Sequence, residues 1–308
     1  MKIEPDKQFI ASPERLAMFL KQYNLVFMDY TEASSGIENS TLITTTKQGK
    51  FVVRVYRQGK KSLSDINLEV NFINFLRENG IKIPEILQNN NGAYITAVEL
   101  EDMVWRAIVM DFIEGVHVES YTHRLVTELA TTQALMHIQS SSYHFHDAAH
   151  IDELIELRDK FFVKQIDHSK ITNTLLDDFL QRAQSYVVSL DKHLPKGLCH
   201  LDYDKENTIT RNNSLAAVID FDDLAIAPFV VCLSYTLWHV RQQSGKDMVK
   251  HYLSAYESVR PLSELEKSYL QPIMLFRHYF ISSIKILNNH LATYEVNKYL
   301  SLEAELSN

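Results

Sequence analysis

Two periods alternate along this chain, and each change of period marks an expected change of element. PERLAMFL after Ser12 has helical spacing, with Ser12 as cap and Pro13 in the first turn, and predicts a helix through residue 20. Residues 25–28 are strand-like and lead into a polar loop at 33–41, ASSGIENST, before the next strand-like run. FVVRVY at 51–56 is β-branched and aromatic, with a cation, Arg54, in its middle. At 68–76 helical spacing puts Leu68, Phe72, Phe75 and Leu76 on one face, and leaves Glu69 to pair with Arg54. Gly80 and Pro84 end that helix, and residues 93–98 and 105–110 read as two antiparallel strands leading into DFIEG. The first third of the chain therefore predicts a five-stranded sheet and one important helix.

The remainder is mostly helical in pattern. Residues 125–139 carry Leu129, Gln133, Met136 and His137 near one stripe, and residues 151–158 and 175–190 are amphipathic with acidic outer faces. No Asp, Glu, Lys or Arg occurs at 224–240, but the run is short for a membrane span and holds Pro228, Ser234 and His239, so it predicts a buried helix. A long apolar series at 269–291 predicts a helical C-terminal region. Between these helices, two apolar runs flank RNNS at 211–214 and predict a β-hairpin, which would bring Asn207 and Asp220 to neighbouring positions.

Composition narrows the class. The chain has 308 residues, 45% of them hydrophobic, enough for one large domain or two lobes. A net charge of −8 argues against a surface built for nucleic-acid phosphates. The two cysteines, Cys199 and Cys232, lie in apolar surroundings and read as buried thiols in a reducing cytoplasm. The first residues lack the apolar core of a signal peptide, and the expected location is cytoplasmic, with no membrane partner. The histidines His137, His144, His146 and His150 match no established metal-ligand spacing.

The chemistry is concentrated in residues 198–223. HLDYDKEN offers Asp202 and, five residues on, Asn207; VIDFDD offers Asp220, then Asp222 and Asp223. Phosphoryl transfer needs a carboxylate near the acceptor hydroxyl and hard oxygen ligands that hold Mg²⁺ against nucleotide phosphates. Asp202 suits the first task, Asn207 and Asp220 the second, and Asp222 can assist through water. Singly, each of these residues is an ordinary turn or capping residue; the spacing and the flanking strands make the set distinctive.

HLDYDKEN followed by VIDF resembles the catalytic loop and metal-binding segment of the aminoglycoside phosphotransferase-like family, which includes type II homoserine kinases and choline-kinase-like enzymes. The resemblance implies an α+β, bilobal protein-kinase-like fold: a small N-terminal nucleotide-binding lobe at 1–113 with an antiparallel sheet, and a larger, mostly helical catalytic and substrate-binding lobe at 114–308. It implies Asp202 as catalytic base, with Asn207 and Asp220 as Mg²⁺ ligands. Arg54 and Glu69 become the pair that sets the nucleotide phosphates, and Ser35, Gly36 and Asn39 the loop above them. Met110, Asp111, Phe112 and Ile113 become the segment that meets the nucleotide base. Two positions depart from the family: Leu201 stands where Gly is usual, and Cys232-Leu-Ser replaces the usual Asp-Leu-Ala. The implied function is transfer of the γ-phosphoryl group of ATP or GTP to a small hydroxyl-bearing molecule: an amino alcohol, a hydroxy amino acid or an aminoglycoside. The alternative is a catalytically impaired, kinase-like nucleotide-binding or interaction module.

Overall fold

The computed structural model describes residues 11–33, 39–59, 61–100, 103–144, 174–185 and 190–287. The chain forms two compact units, one of residues 1–116 with 216–219, the other of residues 117–215 with 220–308.

The first unit is a sheet with helices. Helix α1 (Pro13–Lys21) starts where Ser12 Oγ accepts the Arg15 amide, and it buries Leu16, Phe19 and Leu20. Strands β1 (Phe27–Glu32), β2 (Ser40–Thr46), β3 (Gly49–Tyr56), β4 (Thr96–Leu100) and β5 (Met103–Asp111) make a five-stranded sheet in the order β1-β2-β3-β5-β4, with every neighbouring pair antiparallel. Leu42, Val53, Val55, Trp105, Ala107 and Val109 join the apolar side of α1 in one core. β4 begins three residues later than the apolar pattern suggests, because Asn89 Oδ1 accepts the amides of Asn91 and Ala93 and holds them in a turn.

Helix α2 (Leu63–Glu78) opens on a reciprocal capping box between Ser62 and Asp65. Its buried face is Ile66, Glu69, Val70, Phe72, Ile73 and Leu76, rotated from the expected face: Leu68 and Phe75 are only partly buried. An acid is part of that face, a feature that a purely apolar count cannot locate. The extended segment after α2 is tied to residues 216–219 by the Val218 amide, which donates to Lys82 C=O at 2.8 Å.

In the second unit, helices α3 (His123–Ser142), α4 (Thr174–Ser185), α5 (Phe229–Ser244), α6 (Lys246–Glu257) and α7 (Glu264–Leu287) pack as α3 on α6, α4 on α7, and α5 against α6 and α7. Helix α5 is buried nearly all round, which explains its lack of charge in its first three turns. The expected helix over 224–240 needs a correction at its start. Ala225–Pro228 is a strand, β10, paired antiparallel with β7 (Lys196–Cys199), and the helix begins only after Pro228. Pro228 has no amide to continue a helical ladder backwards, so it serves as the N-cap instead. A three-stranded sheet, β6 (Val116–His117), β8 (Thr208–Arg211) and β9 (Ser214–Val218), completes the order. The expected helix at 151–158, together with His146 and His150, lies outside the described residues, as do residues 186–189 of the expected helix at 175–190. Among the described residues no helix is long and apolar enough to cross a membrane.

Candidate active site

Strand β7 delivers Cys199 and His200 into the second unit's core, and the chain then turns sharply. The Asp202 amide donates to His200 C=O at 2.8 Å across Leu201, whose φ is 58°. That is a γ-turn with positive φ at its centre, a conformation costly for a residue with a Cβ, on the order of 1–3 kcal/mol. Burial opposes the cost: Leu201 is 5% exposed and packs with Cys199, Ala225, Phe229 and Cys232. His200 is buried beside the rings of Phe221 and Tyr203, at 4.6 and 5.9 Å between centroids.

Asp202 emerges from this turn partly exposed. Its Oδ2 and its main-chain carbonyl each accept Asn207 Nδ2 at 2.8 Å, and Arg277 Nη2 of α7 lies 3.9 Å from Oδ1. The Arg277 guanidinium itself rests on the Tyr235 ring at 4.3 Å. Asp204, which the pattern reading passed over, knots the loop: its Oδ1 accepts the amides of Glu206 and Asn207 at 2.8 and 3.2 Å. Burial and the neighbouring Asp202 charge push the Asp204 carboxyl up to about 6. His239 Nδ1 lies 3.5 Å from Asp204 Oδ2; burial, with Arg277 and Lys285, drops the imidazole to about 3, so it is neutral near pH 7. A signal for Asp204 exists only in hindsight, as an Asp three residues before Asn207 in a turn-rich run.

The predicted hairpin is present as β8 and β9. Asn212 and Asn213 both have positive φ, 53° and 58°, the requirement of a type I′ turn. Helix α3 clips its turn end: Glu128 Oε2 accepts the Leu215 amide at 2.7 Å, and Arg124 Nη2 donates to Ser214 Oγ at 2.6 Å. Asn207 immediately precedes β8 and Asp220 follows β9 by two residues, so both stand at the open end of the hairpin. Asp220 has φ 61°, and its Oδ1 accepts the Asp222 amide at 3.4 Å.

In the first unit, Arg54 Nη1 of β3 lies 3.7 Å from Glu69 Oε1 of α2. The acid has two further partners that the sequence reading missed: Lys61 Nζ at 2.5 Å from Oε2, and Tyr56 OH donating to Oε1 at 2.9 Å. Lys61 is only eight residues from Glu69, but it sits just ahead of the cap, where no helical periodicity connects the two. Glu69 is 1% exposed, and a buried carboxylate needs such company. Of the loop candidates, Asn39 uses its Oδ1 to accept the Arg57 amide at 2.9 Å, and Ser35 and Gly36 lie outside the described residues. Met110 and Asp111 end β5; the Asp111 amide already donates to Glu85 C=O at 2.9 Å, and Lys50 Nζ sits 5.2 Å from the Phe112 ring.

Comparison with known proteins fits this arrangement. Residues 29–266 match the model of the phosphotransferase enzyme family, and the chain belongs to that family. It is similar to the homoserine kinase of Afipia carboxidovorans, 24% identical over 263 residues covering 83% of this chain and 78% of that one. Among solved structures, an amicoumacin kinase in complex with AMP-PNP, Ca²⁺ and Ami superposes with a TM-score of 0.73 at 16% identity, covering 96% of this chain and 93% of that one. A microcompartment-associated aminopropanol kinase gives 0.64 at 17% identity, with 95% and 94% covered. The fold is the bilobal α+β fold of protein-kinase-like phosphotransferases. The chain is accordingly a small-molecule kinase that transfers a phosphoryl group to a hydroxyl, and nothing in these likenesses supports a non-catalytic module.

Proposed function

We propose that the chain is an ATP- and Mg²⁺-dependent kinase of a small hydroxy amino acid, with residues 1–113 as nucleotide-binding lobe and 114–308 as catalytic and substrate-binding lobe. Asp202 is the base for the acceptor hydroxyl. The observation that carries this reading is the double hold of Asn207 Nδ2 on Asp202, which fixes the carboxylate and at the same time turns the amide oxygen of Asn207 away from it. Among the described residues that oxygen accepts no hydrogen bond, and with the Asp220 carboxylate it forms a hard oxygen donor set that fits Mg²⁺. Asp222 stands beside Asp220 to assist through water. When bound, the ion neutralises charge on the nucleotide phosphates.

Asp202 then orients the hydroxyl and accepts its proton as the new bond to the γ-phosphorus forms and the bond from that phosphorus to the β-phosphate oxygen breaks, releasing ADP. Arg54, steadied by Glu69, holds nucleotide phosphate oxygens with its fork of donors, and Ser35, Gly36 and Asn39 are assigned to the phosphates with it. Because the Asp111 amide is taken by Glu85, the base meets the segment mainly through Phe112 and Ile113, with Met110 behind them. The AMP-PNP in the amicoumacin kinase complex supports ATP rather than GTP as the cosubstrate.

Two observations favour an acceptor that carries a carboxylate. The relatives include homoserine kinases, and a buried guanidinium, Arg277, stands 3.9 Å from the base, where a polycationic acceptor would be repelled. The test is Mg²⁺-dependent ATP consumption with L-homoserine, aminopropanol, choline and an aminoglycoside, with Asp202→Ala as control. Stimulation by L-homoserine that disappears in the control is expected. Stimulation by the aminoglycoside alone would refute the carboxylate reading.

A further inference from the structure

Where α3, β7 and α5 meet, the second unit buries three side chains that share an affinity for soft metal ions. His137 of α3, Cys199 at the end of β7 and Cys232 in the first turn of α5 are each 1% exposed. One ligand atom from each lies within 4.8 Å of the other two. Two free thiols fit an apolar core without further explanation. The histidine does not. Its Nδ1 is engaged by Tyr256 OH at 2.7 Å and its ring stacks on Phe229, 4.8 Å between centroids. Nε2, however, is buried and has no hydrogen-bond partner among the described residues. A buried polar atom left without a partner costs stability and calls for a group that it can bind.

We propose that His137, Cys199 and Cys232 are the ligands of a thiophilic metal ion, Zn²⁺ or Cu⁺, at a site separate from the acids of the catalytic segment. With Nδ1 taken by Tyr256, Nε2 is the nitrogen left to ligate. An imidazole on a metal keeps its proton on the other nitrogen, where a hydrogen-bond acceptor fixes the ring. Tyr256 OH stands there, and Arg260 Nη1 donates to the same oxygen at 3.3 Å. Cys232 has outer support as well, since Gln133 Nε2 donates to its sulfur at 3.5 Å. That amide is itself fixed, by Tyr252 OH on its Oε1 at 2.9 Å and by its own bond to Thr236 Oγ1 at 2.8 Å. Cys199 gives up a weak contact when it binds as thiolate, the thiol donation to Ala227 C=O at 3.5 Å.

Size and charge agree with the ligand types. An ion about 2.3 Å from each sulfur and about 2.0–2.1 Å from the nitrogen sets its ligand atoms roughly 3.5–4 Å apart, inside the 4.8 Å limit of this set. Binding exchanges two thiol protons for the ion, so with Zn²⁺ the centre is neutral, the state that a dry core tolerates at least cost. Ligand number favours Cu⁺, which three ligands satisfy, whereas Zn²⁺ keeps one further position for water. Mg²⁺ prefers oxygen and has no place here.

The site stands apart from the assignments of base and acceptor, so its test uses neither. The full chain is unfolded and refolded under reducing conditions with Zn²⁺, Co²⁺ or Cu⁺, one at a time, because a closed core admits an ion most readily while it folds. After desalting, metal content is read by elemental mass spectrometry and the Co²⁺ form by its absorption. About one equivalent of Zn²⁺ or Cu⁺ per chain is expected, with a thiolate-to-cobalt charge-transfer band, which sulfur ligands give and carboxylates do not. Cys199→Ser and Cys232→Ser should each remove the band. His137→Phe should weaken binding about 100-fold or more, and Tyr256→Phe, which touches only the ring, about 10- to 100-fold. Loading should raise the melting temperature by about 5 °C in the wild type and leave Cys232→Ser unchanged.

Less than about a tenth of an equivalent of either ion in the wild type refolded with it, and no charge-transfer band, would overturn the inference. So would a bound ion whose amount and spectrum are the same in Cys232→Ser. If the serine variants do not fold, the wild-type cobalt spectrum and the milder Tyr256→Phe decide.

Discussion

Glu69 on α2 and Cys232 on α5 are both 1% exposed, and each gathers donors around a buried negative or electron-rich group. The means differ. Glu69 is matched by two full cations, Arg54 and Lys61, with Tyr56 as a neutral third partner. Cys232 is surrounded by an amide, a thiol and an imidazole. A carboxylate buried without cations would be prohibitive, whereas a cysteine behaves as a small hydrophobe with a weakly polar sulfur and needs only a few polar neighbours. In the role proposed for Arg54, the phosphates bring charge of their own, which suits a setting built from charges.

The largest effect expected from breaking this comparison is at the base itself. Asp202→Ala should lower kcat by about a thousandfold or more while ATP affinity, measured by calorimetry, changes only a few-fold. Next is Glu69→Ala, which removes the buried acid that Arg54 and Lys61 share; chemical denaturation should show a loss of about 3–5 kcal/mol. Arg54→Ala sharpens the point, because Glu69 keeps Lys61 and Tyr56. It should raise KM for ATP roughly tenfold or more, with a stability loss smaller than that of Glu69→Ala.

A smaller effect belongs to Asp204. Its folded carboxyl titrates at about 6, above its ordinary 3.8, so the folded state holds the proton more tightly. The stability linked to that proton is complete below the ordinary value and is lost as pH rises through about 6. Asp204→Asn keeps an oxygen for the Glu206 and Asn207 amides and removes the charge, so it should gain about 1–3 kcal/mol at pH 8 and little at pH 4 in thermal melts. A variant no more stable at pH 8 would show that the buried charge is compensated. The smallest effect is at the hairpin tip, where Asn212→Ala should cost about 1 kcal/mol for its positive φ.

Local chemistry explains which parts were legible. The Ser12 cap, the five strands of the first sheet and the Asn-Asn turn announce themselves within a few residues, because caps, alternation and positive φ each demand particular side chains. Asp202 and Asn207 stand out by their spacing, five residues apart, but the hydrogen bonds between them were not legible in it. Ala225–Pro228 does not, since four apolar residues before an apolar helix carry no change of period, and only pairing with Lys196–Cys199 makes them a strand. Nor does the setting of Cys232. Gln133 lies 99 residues away, and the Tyr256 that fixes His137 lies 119 away from it, so these partnerships exist only once three helices have packed.

The Val218 amide bonded to Lys82 C=O, described above as a tie within the first unit, bears on how the chain can be divided. The first unit is discontinuous: it borrows residues 216–219 from a hairpin whose other strand belongs to the second. A gene fragment ending at residue 116 would encode every strand of the five-stranded sheet and yet omit this borrowed piece, and with it the hydrogen bond from the Val218 amide to the Lys82 carbonyl. Autonomy of the small unit therefore requires more than its own contiguous reading frame. A fragment that supplies residues 216–219 through a grafted linker should be the more stable of the two.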